Sequence, residues 1–482
     1  MTASSTGTRI PVRDAVFALA FVGDLSMGRP TDHSRRTAWL AARLAEADGG
    51  SPADARTAHD IALLRWSGCT ANAEGFDRLL GDDVAGREQL MALTLPVDAA
   101  RAAGIWPLAQ IHCEVSGDIA SQLGMDEAVE RGLRQVFETW DGRGHPGQHS
   151  GDAVPTPVYC VALASDFEIL GRARGLAPAL EAIARLADAK YPARLVALLS
   201  RQAADWLAEL DASPDDLAAT PPASDAPDVP LELVADVADL KLPWLAGHSR
   251  RVADCARATG ALLGLDAHAQ SLLQRAGLIH AMGRAAVANH VWQRPGRLTA
   301  SDWERVRLMP YWTSRAASLI PGLKAEAELA SHAFERLDGA GYYRNVGGAS
   351  LSPSHRVLST AVALVALRSP RPWRGAHDDA AAAAALRDEA AGGRFDREVA
   401  EAALAAMTGA APRAPARAAA TLSQRETEVL RRISLGESNK EVARALVLSP
   451  STVRTHIESV FRKLECSTRA AATLKAFTLG LL

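Results

Sequence analysis

The tetrapeptide His-Ser-Arg-Arg occurs twice in this chain, at residues 33–36 and 248–251, and each copy opens an apolar pattern with helical spacing. A second pair of related segments follows in the same order, FETWDGRGHPG from Phe137 and FERLDGAGYYR from Phe334. A third pair, KYPARLVALL and RFDREVAEAAL, lies near the end of each half. Because the order of the three landmarks is preserved, the pattern indicates an internal duplication.

The two copies differ in length. The first two landmarks are 108 residues apart in the first copy (141 − 33) and 90 residues apart in the second (338 − 248). The first copy is therefore expected to contain an insertion, near residues 81–104. Each copy consists of helical patterns with one Gly-rich loop, alanine is abundant, and only 5% of the residues are aromatic. These properties favour helices over strands, so we predict an all-α body.

Two proline-containing segments divide the chain. Residues 211–229 contain five Asp, four Pro and no aromatic residue, and the shorter segment 411–420 is also interrupted by proline. Such segments cannot bury a core and are typical of linkers. The predicted domains are therefore residues 15–210, 230–410 and 421–482.

Charge is distributed unevenly along the chain. The formal net charge is −3, but residues 421–482 contain ten Lys and Arg against six Asp and Glu, a net of +4 that leaves −7 for the rest. A basic terminal module on an acidic body is typical of a protein that binds a polyanion. The five cysteines form no Cys-x-x-Cys pair, which argues against a zinc cluster or a disulfide framework. No signal peptide or membrane-spanning run is evident, so we expect a cytoplasmic location and no membrane partner.

The basic segment 421–482 has the pattern of four short helices. Ser423, Ser438 and Ser449 each stand just before an apolar helical pattern, where a serine hydroxyl caps the first turn. Pro450 follows at the first helical position, which tolerates proline. Two short helices, a tight turn and a third helix with an exposed polar face are the geometry of a helix-turn-helix.

This segment resembles the LuxR-type helix-turn-helix. The matching residues are Leu422, Arg425, Glu426, Glu428, Val429, Leu430, Gly436, Lys440, Ala443, Leu446, Ser449, Thr452, Val453, His456, Lys463, Leu464 and Arg469. The resemblance implies that Arg454, Thr455 and Glu458 read bases and that Lys440 and Lys463 contact phosphate. Together with the exposed positions of the third helix, the candidate DNA-binding residues are Lys440, Ser449, Ser451, Thr452, Arg454, Thr455, Glu458, Arg462 and Lys463. The alternative is a small helical bundle with no nucleic-acid function.

The second copy resembles the HD-GYP branch of the HD-type phosphodiesterases. The resemblance is carried by blocks in family order: His248 with Arg251, GLIHAMGR, RPGRLTASDWE, FERLDGAGYY and SPRPWR. In that family, histidines and aspartates hold divalent metal ions that activate water for attack on a phosphate ester.

Most positions that hold metal in this family carry other residues here. Only His248 and His280 are retained in the second copy, where the other family positions read Ala281, Met309, Ala333, Phe334 and Val362. In the first copy the equivalent positions fall in ALLRWSGCTANA, at Val136-Phe137 and at Ser165, and the literal dipeptide His59-Asp60 is out of register. From these replacements we predict that the chain holds no metal, uses no cofactor and is not an enzyme.

The replaced residues make the former cleft apolar. An apolar cleft with a few polar groups is typical of a small-molecule site. The candidate ligand pocket consists of His248, His280, Met309, Phe334 and Val362. The alternative for the two histidines is that they are buried polar groups that hold two helices together.

The sequence thus predicts an all-α fold, with two tandem HD-GYP-like helical domains followed by a C-terminal four-helix LuxR-type helix-turn-helix. The predicted function is sequence-specific binding of double-stranded DNA in a bacterial cytoplasm, regulating transcription, with a body that senses a small-molecule ligand, dimerises, or both. The apolar last helix, residues 467–482, indicates a homodimer. Two alternatives are a metal-dependent phosphodiesterase of the cyclic dinucleotide class coupled to a DNA-binding domain, and a purely structural dimerisation body.

Overall fold

Helices dominate the fold, as the composition predicts. The computed structural model describes residues 5–212, 228–409 and 422–482. These residues form two compact units, one of Ala15–Pro227 and one of Met1–Asp14 with Asp228–Leu482. The predicted linker 411–420 and the central part of the linker 211–229 lie outside the described residues. The helix that precedes the latter linker extends to Ala212.

The unit Ala15–Pro227 is built from the first copy of the duplication. Its helices are α1 (Val12–Ser26), α2 (His33–Ala47), α3 (Pro52–Leu64), α4 (Ala73–Leu80), α5 (Asp83–Met91), α6 (Ala99–Gln122), α7 (Glu127–Arg134), α8 (Thr156–Arg174), α9 (Leu176–Ala184) and α10 (Ala193–Ala212). Helices α2, α3 and α8 pack on one another and form its centre.

The other unit contains the second copy and the C-terminal module. Its helices are α11 (Glu232–Asp239), α12 (His248–Leu262), α13 (Ala267–Ile279), α14 (Asn289–Gln293), α15 (Ala300–Arg307), α16 (Met309–Ser318), α17 (Lys324–Ala330), α18 (Pro353–Leu367), α19 (Asp379–Ala391), α20 (Arg397–Gly409), α21 (Gln424–Ser434), α22 (Asn439–Leu446), α23 (Pro450–Leu464) and α24 (Arg469–Thr478). Among the described residues, the one pair of strands is β1 (Arg9–Ile10) with β2 (Val229–Pro230), which are antiparallel.

Equivalent hydrogen bonds in the two copies confirm the duplication. The carboxylate of Asp24 accepts bonds from the backbone N–H and the hydroxyl of Ser34. Asp239 accepts the same pair of bonds from Ser249. These bonds fix the start of α2 and of α12, each of which begins with the histidine of the repeated tetrapeptide.

A second equivalence locates the insertion. Gly68 lies so close to α6 that an added Cβ would collide with the carbonyl oxygen of His112, and Gly283 has the same relation to Met309 on α16. The two contacts span 44 residues in the first copy (112 − 68) and 26 in the second (309 − 283), a difference of 18 that equals the difference between 108 and 90. The extra residues therefore lie between Gly68 and His112, in agreement with the predicted region.

The C-terminal module folds around its own apolar core. Ser423 and Ser438 form capping boxes with Glu426 and Glu441, and the hydroxyl of Ser449 accepts a bond from a backbone N–H in the first turn of α23. The core comprises Val429, Leu430, Ile433, Val442, Ala443, Val453, Ile457, Val460, Leu464, Ala472 and Ala476. The predicted four-helix arrangement is confirmed. Among the described residues, no helix is long and apolar enough to cross a membrane.

Candidate DNA-binding surface and ligand cavity

The outer face of α23 is polar and open to solvent. All nine residues proposed to contact DNA are exposed, which contact with DNA requires. Within α23 the Nε of Arg454 donates to Oε1 of Glu458 at 2.8 Å, and both side chains are largely exposed. The acidic residue that departs from the family pattern therefore pairs with the residue expected to read a base.

The C-terminal half of α23 is hydrogen-bonded to α21 through the carboxylate of Glu426. Glu426 is 5% exposed and accepts hydrogen bonds from Lys463 at 2.7 Å and from Ser459 at 2.7 Å, in addition to its capping bond with Ser423. Burial raises the pKa of Glu426, but these hydrogen bonds outweigh burial and lower the pKa from its ordinary value of 4.5 to about 2. Lys463, predicted to contact phosphate, thus also has a structural partner.

We expect Glu426→Gln to loosen α23 in a pH-dependent way. The folded-state pKa lies below the unfolded one, so the stabilisation is fully present above about pH 4.5 and is lost as the pH falls toward 2. The loss at pH 7 should be about 2 kcal/mol, since hydrogen bonds to a charged group are involved. Hydrogen exchange of the α23 amides at pH 7 measures it. Glu465→Gln, at an exposed position of the same module, is the matched control, and equal exchange in the two variants would contradict this role.

The second copy contains a cavity of about 510 Å³ that is open to solvent. Of the five residues predicted to line a ligand pocket, His248, Met309, Phe334 and Val362 line it, whereas His280 does not. His280 lies next to two of them, with its ring centroid 5.9 Å from that of His248 and 5.9 Å from that of Phe334.

Both histidines are buried and neutral. Burial, with the nearby guanidinium of Arg284, lowers the pKa of His280 to about 3 and that of His248 well below its ordinary value. The Nδ1 of His280 lies 2.7 Å from the carbonyl oxygen of Gly277, and the Nδ1 of His248 lies 3.3 Å from the hydroxyl of Ser369. The His248 contact joins α12 to the segment after α18, whereas the His280 contact is local to the end of α13, so the idea that both histidines hold two helices together stays a prediction.

The charged residues of the cavity were not among the predicted site residues. Five arginines line it against two glutamates: Arg284, Arg294, Arg336, Arg371 and Arg374 against Glu335 and Glu389. The guanidinium of Arg371 lies 4.8 Å from the ring centre of Trp244, and burial, followed by repulsion from Arg284 and Arg374, lowers its pKa to about 10. Arg284 and Arg371 lie within the blocks GLIHAMGR and SPRPWR, so the signal was present in the sequence.

Aromatic rings form much of the remaining wall. The lining includes Trp244, Trp292, Trp303, Phe334, Tyr342, Trp373 and Phe395. Phe334 and Tyr342 are stacked with centroids 4.9 Å apart, while Trp303 and Trp373 are 38% and 45% exposed. The cavity therefore combines cations with planar apolar surfaces, and it contains more charged groups than the apolar cleft with a few polar groups that the sequence predicted.

A separate group of side chains has the chemistry of metal ligands. Glu328, His332 and His355 offer ligand atoms that all lie within 4.8 Å of one another. The two imidazole rings are stacked with centroids 4.0 Å apart, and the Nε2 of His355 lies 3.3 Å from a carboxylate oxygen of Glu328. Two imidazoles and a carboxylate fit a divalent transition metal. These three residues do not line the 510 Å³ cavity.

In the first copy the retained histidine has an acidic partner. The Nδ1 of His33 lies 2.5 Å from a carboxylate oxygen of Glu168, and both residues are buried. The out-of-register pair His59-Asp60 forms a local contact at 3.0 Å.

The last helix packs against the start of the second copy. Gly247 lies so close to the ring of Phe477 that an added Cβ would approach within 2.9 Å, and the guanidinium of Arg250 lies 5.8 Å from the centre of that ring. Part of the apolar surface that the sequence assigned to a second chain is thus covered within the same unit, and the homodimer stays a prediction.

Comparison with known families gives two matches. Residues 232–399 match the HD domain, and residues 420–476 match the bacterial regulatory proteins of the luxR family.

The individual relatives are of two kinds, phosphodiesterases and a transcriptional regulatory protein. The 3'3'-cGAMP-specific phosphodiesterase 3 of Vibrio cholerae is 25% identical over 405 residues, which is 76% of this chain and 88% of that protein. The 3'3'-cGAMP-specific phosphodiesterase 1 of the same organism is 29% identical over 167 residues, 35% of this chain and 39% of that protein. The probable transcriptional regulatory protein NarL of Mycobacterium tuberculosis is 47% identical over 73 residues, 15% of this chain and 32% of that protein.

The fold agrees with that of a solved structure. The crystal structure of a cyclic GMP-AMP-specific phosphodiesterase of V. cholerae covers 82% of this chain and 98% of its own chain, with a TM-score of 0.58 and 23% identity.

These findings correct one prediction. The inference that the chain is not an enzyme is wrong as drawn, because the HD-domain match and the similarity to two phosphodiesterases contradict it. The inference relied on family positions alone. It overlooked that the fold brings Glu328, His332 and His355 together from two segments. The resemblance itself is confirmed: this chain combines a segment that matches the HD domain with a C-terminal segment that matches the bacterial regulatory proteins of the luxR family.

Proposed function

We propose that this protein is a transcription regulator that binds double-stranded DNA through α23 and binds a cyclic dinucleotide in the cavity of its HD domain. The observation that carries the ligand proposal is the combination of five arginines and seven aromatic rings around one cavity. A cyclic dinucleotide has two phosphodiester anions and two bases, and guanidinium groups and aromatic faces recognise these parts.

The DNA-binding part of the proposal rests on α23. Its exposed residues extend from Ser451 to Arg462 on one face, while Val453, Ile457 and Val460 on the opposite face are buried in the core of the module. This is the arrangement by which a recognition helix enters the major groove. Genome-wide mapping of the DNA bound by the full chain tests it, and binding without a common sequence would contradict sequence-specific regulation.

Arg371→Met should weaken binding of 3'3'-cGAMP about tenfold, because it removes one charge-assisted contact from the cavity wall. Titration calorimetry with the full chain measures the Kd. Arg387→Met is the matched control, since Arg387 forms an exposed ion pair with Glu401 and does not line the cavity. Equal affinities in wild type and Arg371→Met, or no binding to wild type, would refute the ligand proposal.

The segment 243–250 connects the cavity with the DNA-binding module. Trp244 and His248 line the cavity, whereas Gly247 and Arg250 contact Phe477 of α24. An occupant that moves this segment would alter the packing of α24, and linkage then requires the ligand to change DNA affinity.

We therefore expect 3'3'-cGAMP to change the affinity of the full chain for DNA and Phe477→Ala to reduce that change. Fluorescence anisotropy with labelled DNA, with and without ligand, gives both values. Leu479→Ala controls for general loss of packing, since Leu479 packs on the core of the module. A ligand response that is unchanged in Phe477→Ala would exclude this contact as the connection.

A second candidate function is hydrolysis of a cyclic dinucleotide at the His-His-Glu group, which lies outside the lining of the cavity. It is favoured by the similarity to two phosphodiesterases and by the His-His-Glu group. Divalent metal would be held by His332, His355 and Glu328 and would supply an activated water. Incubation with 3'3'-cGAMP and Mn²⁺ should then yield a linear dinucleotide by addition of one water, and His332→Ala should abolish turnover. Absence of product with Mn²⁺ and with Fe²⁺ would leave ligand binding alone.

A further inference from the structure

The turn between α3 and α4 contains an unusual group of buried polar atoms. Five of them have no hydrogen-bond partner among the described residues: Nε and Nη1 of Arg65, Nε1 of Trp66, and the hydroxyls of Ser67 and Thr70. Folded proteins leave few buried polar groups without a partner, and each such group calls for an explanation. Here they come from four residues on a single turn, and every one of them can donate a hydrogen bond.

The local charge is not balanced. Arg65 is 2% exposed, and none of the described carboxylates lies within ion-pair distance of it. Asp166 is the carboxylate that acts on it most strongly, but Asp166 already accepts hydrogen bonds from Lys190 at 2.5 Å and from Tyr191. His112, which lies beside the turn, stays neutral because burial lowers its pKa to about 3. The two cations Arg65 and Lys190 thus share one anion, the carboxylate of Asp166.

The neighbouring buried cation, Arg87, has protein partners on both of its terminal nitrogens, and only its Nε has none. Arg87 donates to the carbonyl oxygens of Ser26 and Cys69 and to the side chain of Asn72, and Asp83 lies 3.9 Å away. The deficit therefore belongs to Arg65. The repeat gives its origin, since Arg65 in ALLRWSGC occupies the position of neutral His280 in GLIHAMGR.

We propose that the unit Ala15–Pro227 binds a small inorganic oxyanion of the phosphate class at the turn between α3 and α4, with Arg65 as the principal ligand. The guanidinium of Arg65 lies 4.6 Å from the ring centre of Trp66 and 6.0 Å from that of Phe137, but no carboxylate in the described part of the chain pairs with it. A buried charge without an opposite charge is strongly destabilising, and a bound oxyanion removes that penalty. The planar guanidinium presents parallel N–H groups that match two oxygens of a phosphate. The hydroxyls of Ser67 and Thr70 and the indole N–H of Trp66 supply the further donors that such an anion accepts.

The test is equilibrium dialysis of the full chain with radiolabelled inorganic phosphate, in a buffer free of phosphate and sulfate. Wild type should bind one phosphate more per chain than Arg65→Met. Arg87→Met is the matched control and should keep that phosphate, because Arg87 is occupied by protein groups. Arg65→Lys, which keeps the charge but loses the fork, should bind about tenfold more weakly and covers the case in which Arg65→Met does not fold.

Thermal unfolding gives a second readout. The difference in Tm between wild type and Arg65→Met should depend on whether the buffer contains phosphate. Without phosphate, Arg65→Met should be at least as stable as wild type, since an unpaired cation has been replaced by an apolar side chain of similar length. Saturating phosphate should raise the Tm of wild type by about 5 °C and that of Arg65→Met by less. Equal phosphate binding by wild type and Arg65→Met would overturn the proposal. So would a large loss of stability in Arg65→Met without phosphate.

Discussion

Arg454→Ala is expected to abolish the preference of the full chain for its operator while leaving most non-specific binding in place. Loss of a bidentate contact to a base costs about 1–3 kcal/mol, or about 10- to 100-fold in affinity. In the free protein Arg454 pairs with Glu458, so contact with a base requires the guanidinium to leave that partner. The affinities for a mapped operator and for random DNA, measured at several salt concentrations, give the specificity ratio.

The control for this experiment is Lys440→Ala rather than a change at Lys463. Lys440 is exposed at the start of α22, whereas Lys463 also holds the buried Glu426. Lys440→Ala should weaken binding to all sequences equally and lower the salt slope by about one. If Arg454→Ala keeps the wild-type ratio of operator to random DNA, the proposed recognition face is wrong.

Arg284→Met is expected to have the largest effect on stability, about 3–5 kcal/mol. Arg284 is 6% exposed and lies 3.4 Å from the carboxylate of Asp239, which is 1% exposed. Removing the cation leaves a buried carboxylate without its charged partner, and that costs more than the pair itself contributes. The hydrogen bonds from Ser249 to Asp239 remain and offset part of the penalty.

A double variant separates the lost charge pair from lost packing. Asp239→Asn combined with Arg284→Met should recover much of the stability, because neither buried charge is then present. Urea unfolding of the three variants, followed by tryptophan fluorescence, measures the differences. If the double variant is as unstable as the sum of the single ones, the unpaired carboxylate does not cause the loss.

Local patterns in the sequence were sufficient to predict the C-terminal module. Ser423, Ser438 and Ser449 cap their helices as predicted. These caps could be recognised in the sequence because a capping bond joins residues only three positions apart. The duplication was predictable for a related reason, since Asp24–Ser34 and Asp239–Ser249 each join residues ten apart.

Contacts between distant residues could not be predicted in this way. Arg284 reaches Asp239 across 45 residues, and Glu328 reaches His355 across 27. Testing the metal positions of the family one at a time therefore missed the His-His-Glu group and led to the wrong conclusion about enzymatic activity. Arg284 and Arg371 were visible within the blocks GLIHAMGR and SPRPWR, but the sequence did not show that these residues, 87 positions apart (371 − 284), line the same cavity.

The pairing of β1 with β2 has a consequence for the order of folding during synthesis. Ile10 pairs with Val229, Leu231 donates to the carbonyl oxygen of Thr8, and the hydroxyl of Thr8 donates to Glu232. The first strand therefore waits for a partner that is about 220 residues further along the chain. At a synthesis rate of about 5–20 residues per second this interval is of the order of 10–40 s. Residues 15–212 can fold within that interval, and the N-terminal strand then completes the unit that carries the C-terminal module only after its partner has left the ribosome.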